Sequence, residues 1–77
     1  MRILDKKFTP QAQKVWFIDA RMYVLLTDGG ELGVLLEWFP KLRDATEEQR
    51  MNWRLISGGI GIHWEEIDED LSVAGLL

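Results

Sequence analysis

Thr27-Asp28-Gly29-Gly30 lies between Met22-Tyr23-Val24-Leu25-Leu26 and Leu32-Gly33-Val34-Leu35-Leu36, and this punctuation constrains the fold more than any other feature of the chain. Glycine accepts the positive φ that tight hairpin turns require, so Asp-Gly between two apolar runs of strand length predicts two antiparallel neighbours. A third run, Val15-Trp16-Phe17-Ile18, precedes them and is joined to the next by the short polar turn Asp19-Ala20-Arg21. All three are rich in β-branched and aromatic residues, and together they predict an antiparallel meander. Trp38-Phe39-Pro40 ends the third strand, because proline has no amide hydrogen to give to a ladder and restricts the residue before it.

The second half of the chain carries a helical signal. Thr46-Glu47-Glu48-Gln49 has the pattern of a capping box, and its two acids suit the positive end of a helix dipole. The spacing predicts a helix over 47–56, with Met51, Asn52, Trp53, Leu55 and Ile56 on one arc facing the sheet. Gly58 is the natural left-handed residue to end it. Ile60, Ile62 and Trp64 then alternate with Gly61, His63 and Glu65, the period of a half-buried strand. Asp70 or Ser72 is placed to cap a short helical turn reaching Leu76-Leu77. The expected fold is α+β: a three-stranded antiparallel meander plus a fourth strand, packed against one main helix, with a short C-terminal helical turn. Residues 1–77 are expected to form a single domain, with 1–12 a leading segment holding a short edge strand at Ile3-Leu4 and 15–77 the core.

Composition narrows the functional classes. A chain of 77 residues is near the lower limit for a self-sufficient core, so four tryptophans matter greatly to its packing and oligomerisation is an open route to stability. The absence of cysteine excludes a thiol nucleophile, a disulfide framework and a thiolate zinc site. A formal charge of −4 opposes nonspecific binding to nucleic acid or anionic membranes. No segment approaches the roughly 20 apolar residues of a membrane span, and the N-terminus lacks a signal-peptide core, so a cytoplasmic protein is expected.

The order Asp28-Gly29, Trp38-Phe39-Pro40-x-Leu42, Ala45-Thr46-x-Glu48-Gln49-Arg50-x-Asn52-Trp53 and Gly59-x-Gly61-Ile62-His63-Trp64-x-x-x-Asp68-Glu69-Asp70-x-Ser72-Val73 resembles the small bacterial family called domain of unknown function 2442. The resemblance covers roughly residues 15 to 77. It implies a compact α+β fold with an antiparallel sheet and no established catalytic residues. It also implies two settings: as part of larger proteins with a helix-turn-helix domain, or beside another small protein in the arrangement of a toxin and antitoxin pair. Because the chain ends at Leu77 with no helix-turn-helix, direct DNA reading is not expected.

The chemistry-bearing residues are few. Asp68-x-Asp70 begins an EF-hand-like pattern, but the bend glycine and the distant bidentate glutamate are missing. His63 is the single histidine, and a zinc site needs three or four converging ligands. The glycines near Gly58 follow a helical pattern and open a strand, the reverse of a phosphate loop. No catalytic, cofactor-binding or metal-binding residue is therefore assigned. The candidate partner surface is Trp38, Phe39, His63, Glu65, Glu66, Asp68, Glu69 and Asp70, because adjacent aromatics on extended chain cannot both point inward and the acids can meet a basic surface.

The expected function is a noncatalytic protein-interaction module, the antitoxin-like or regulatory member of a two-protein bacterial system, whose partner is a small basic protein encoded nearby. The alternative is a homo-oligomeric scaffold related to parts of helix-turn-helix regulators. A third reading is a small metal-dependent hydrolase using His63 with Asp68 and Asp70.

Overall fold

The computed structural model describes residues 9–77, so the expected edge strand at Ile3-Leu4 lies outside the described residues. Strands β1 (Ala12–Ile18), β2 (Arg21–Leu26) and β3 (Glu31–Leu35) form the expected meander, sheet A, in the order β1-β2-β3. Asp28 shapes the second turn, its Oδ1 accepting from the Gly30 N–H at 2.9 Å, while Gly29 takes φ +93. Asp19 turns the first hairpin with φ +53, a conformation that aspartate tolerates better than most residues.

Beyond β3 the architecture departs from the expected one. A 3-10 turn (Leu36–Trp38) leads into a short helix, α1 (Pro40–Arg43), in which Pro40 occupies the first turn where no amide is needed. Helix α2 has the capping box: the Gln49 N–H donates to Thr46 Oγ1, and the Thr46 N–H donates to Gln49 Oε1. It runs only from Glu47 to Met51, buries none of its residues, and ends on Asn52. Residues Trp53–Ile56 form β4, which pairs antiparallel with β5 (Gly61–Trp64), itself paired with β6 (Glu69–Ser72).

The fold is therefore two three-stranded antiparallel sheets with small helices, and the expectation of a four-stranded sheet on one main helix is corrected. The physical reason lies in Trp53-Arg54-Leu55-Ile56. Over so few residues, periods of 3.6 and 2 select overlapping sets, and the pairing of all four residues with Gly61–Trp64 decides for the strand. Trp53 and Leu55 are half-buried while Arg54 and Ile56 face out. Met51, expected on the buried arc, is 69% exposed, and Asn52 is exposed as well. Gly58, with φ +70, turns the chain between β4 and β5 and ends no helix.

Both sheets feed one core. Val15, Met22, Val24, Val34 and Leu36 from the first half pack in one cluster with Leu42, Ile62, Trp64 and Val73. Trp64 is fully buried, and its indole N–H donates to the Arg50 carbonyl at 2.9 Å, which joins β5 to the end of α2. Arg50 in turn donates to the carbonyls of Leu42 and Arg43, clamping α2 onto α1. The two sheets come together where Gly59 lies on Ala12. A Cβ at Gly59 would sit 2.3 Å from the Ala12 carbonyl oxygen, so only glycine allows this approach. The final helix, α3 (Val73–Leu76), is capped by Ser72, whose Oγ accepts from the Gly75 N–H.

Candidate functional site

Two surfaces carry chemistry. The first holds the residues expected from sequence, and the fold sorts them into three groups. Glu65, Glu66 and Asp68 belong to the turn between β5 and β6, with Asp68 at φ +53. Lys41 donates from Nζ to the Asp68 carbonyl at 2.8 Å, which ties the Trp38-Phe39-Pro40-Lys41 segment to that turn. Trp38 is 64% exposed, whereas Phe39 packs on the core, so one aromatic of the pair faces outward.

Glu69 and Asp70 are not part of an acidic loop. They lie in β6, on opposite faces of the strand. The fold places Asp70 across from His63, and His63 Nδ1 donates to Asp70 Oδ1, the proton assignment following from a carboxylate that can only accept. Among the described residues no group of three or more His, Cys, Asp or Glu could hold a metal, so His63, Asp68 and Asp70 do not converge as a ligand set.

Cations on α1 and β4 are engaged. Arg43 holds the Asp44 carboxyl below its ordinary range through their hydrogen bond, and its own pKa is raised by the same contact. Arg54 reaches Glu65 only at 3.9 Å, an exposed pair of little strength. Glu65, Glu66 and Asp68 are exposed to solvent, as is the Trp38 indole.

The second surface escaped the sequence reading. A cleft of about 370 Å³ opens between the sheets, with Val15, Trp16, Phe17 and Asp19 on one wall and Glu47, Arg50, Met51 and Trp53 on the other. Its size is at the low end of the about 300–1,000 Å³ usual for small-molecule pockets. Above it, sheet A turns an apolar face outward: Trp16 stacks on Tyr23 at 5.7 Å, and Tyr23 lies over Gly33, where a Cβ would meet the ring at 3.1 Å. Ile18, Leu25 and Leu35 share that face by register, with Lys14, Arg21 and Glu31 as its charged members at the ends of the strands. An antiparallel sheet with one solvated face ordinarily alternates polar residues outward. The available signal was that Val15-Trp16-Phe17-Ile18 is apolar at every position and cannot hide both of its faces.

Two three-stranded antiparallel meanders sharing one core, with a cleft between facing edges, define a small two-sheet β-domain. The chain belongs to the family described as "Protein of unknown function (DUF2442)", which it matches over residues 12–77. It is also similar to a solved structure of a protein of unknown function from Rhodospirillum rubrum ATCC 11170, with 32% identity and a TM-score of 0.75, over 87% of this chain and 83% of that one. Among curated proteins none matches. No helix among the described residues is long and apolar enough to cross a membrane.

Proposed function

We propose that this domain is a noncatalytic protein-interaction module, the antitoxin-like or regulatory member of a two-protein bacterial system, and that its partner is a small basic protein. The observation that carries the reading is the Lys41 to Asp68 bond, which ties the segment carrying exposed Trp38 to the 65–68 turn, whose acids are exposed as well. An exposed aromatic together with solvent-facing carboxylates is suited to a basic partner, with the ring supplying desolvated contact and the acids supplying steering. Affinity capture with the product of a neighbouring coding sequence tests it. Association should weaken as salt rises, and Trp38→Ala should weaken it roughly thirtyfold if the ring is a hot spot. Recovery of the protein alone at both low and high salt would count against the reading.

The apolar outer face of sheet A favours a second reading, a homo-oligomeric scaffold. Sedimentation separates the two: a stable dimer that covers Trp16 and Tyr23 supports the scaffold, and a monomer supports the module.

A further inference from the structure

The hydrogen-bond phase of sheet A reveals what the cleft offers. The Leu26 N–H donates to the Gly30 carbonyl at 2.7 Å, and the Leu36 N–H donates to the Ala20 carbonyl at 2.9 Å. Main-chain groups of the even-numbered residues along β2 therefore point toward β3, and those of Arg21, Tyr23 and Leu25 point toward β1. Their partners are Ile18, Trp16 and Lys14. It follows that Val15 and Phe17 aim their N–H and C=O groups at the other edge of β1, the edge that lines the cleft. Among the described residues no strand forms a ladder with that edge: β1 pairs with β2 alone, and β4, which brings Trp53 to the far wall, lies across the cleft from it.

The cleft has a charge as well as an edge. Asp19 and Glu47 contribute two negative charges and Arg50 one positive, leaving −1. Arg50 is also anchored, since Nε and one Nη donate to the carbonyls of Leu42 and Arg43. Trp53 adds an aromatic wall of the kind that attracts a cation, whereas Trp16 already stacks on Tyr23 and carries Lys14 Nζ 5.9 Å from its ring centroid.

We propose that the free edge of β1 receives an extended segment of a basic protein partner, which adds to sheet A as a fourth strand and places a lysine or arginine side chain in the cleft. Strand addition draws affinity from main-chain bonds, here to Val15 and Phe17, and specificity from side-chain pockets. The volume admits one long side chain. The inference rests on the interaction-module reading but uses a different surface from the acidic turn, so the two can fail separately.

The test is an NMR titration of the full ¹⁵N-labelled chain with the peptide acetyl-Thr-Val-Lys-Val-Thr-amide. Its controls are a Glu-for-Lys copy and two copies N-methylated at alternate residues in the two phases. The expected result is saturable shifts at the amides of Val15 and Phe17 and the indole of Trp53. Binding should be roughly fivefold weaker for the Glu copy and for Glu47→Gln, and should be lost for one N-methylated phase only. Asp19→Asn, which keeps a residue tolerant of positive φ, is the second variant should Glu47→Gln unfold. Four outcomes overturn the proposal. These are no shift at these positions, shifts confined to residues 65–70, shifts at Val15 and Phe17 that depend on protein concentration without peptide, and contacts from residues 1–8 already occupying the edge. The second leaves the interaction-module reading standing, whereas absence of any partner in the capture experiment removes that reading itself.

Discussion

Trp64 illustrates how much one side chain can hold in a domain of this size. Its ring fills the shared core, and its N–H satisfies a carbonyl at the end of α2 that would otherwise lack a partner in the helix. Trp64→Phe keeps an aromatic ring but removes the donor and part of the volume. The expected loss is about 2–3 kcal/mol in denaturant unfolding. The alternation of Ile60, Ile62 and Trp64 made the burial of the last two legible in sequence, but Ile60 lies before β5 and is exposed, while His63 on the opposite face is half-buried. The His63–Asp70 contact was not legible, because it depends on a strand, β6, whose acidic residues read as solvated loop. Phe39 and Trp38 do divide between core and solvent, but not for the expected reason: the backbone there is not an extended strand, since Trp38 ends a 3-10 turn and Phe39 leads into α1.

At the scale of elements, signals that act within four residues survived and longer ones did not. The capping box at Thr46 and the cap at Ser72 form as the residue types dictate. Thr46→Ala should destabilise the domain by about 1 kcal/mol, and hydrogen exchange at Gln49, whose amide donates to the threonine hydroxyl, should rise by more than exchange in β2. The length of α2 was not readable, since nothing in Glu47–Ile56 forbids a helix; the strand at Trp53–Ile56 wins because β5 offers it a complete register. Turn chemistry told the same story on the other side of the chain, where Asp28-Gly29-Gly30 identified sheet A before any long-range contact was known. The division into two sheets follows from each strand pairing with its neighbour in sequence, and it was missed because β4 read as helix and β6 as loop.

The whole molecule is two meanders that share one core, with a tight backbone crossing at Gly59 and Ala12 and a cleft beside β1. The crossing has its own test. Gly59 has φ +103 and lies against the Ala12 main chain, so Gly59→Ala combines an unfavourable backbone conformation with a clash that no rotamer relieves. It should cost about 3 kcal/mol or more in chemical denaturation, whereas the same change at Gly75, whose Cβ would meet only the Ser72 side chain at ordinary contact distance, should be mild. A methyl group at position 59 can be accommodated only by moving β1 away from the turn that follows β4. The spread of the two sheets is thus governed from a point that no visitor to the cleft would touch. If the cleft takes the proposed strand, its selectivity can be engineered through a position that contributes no side chain to it.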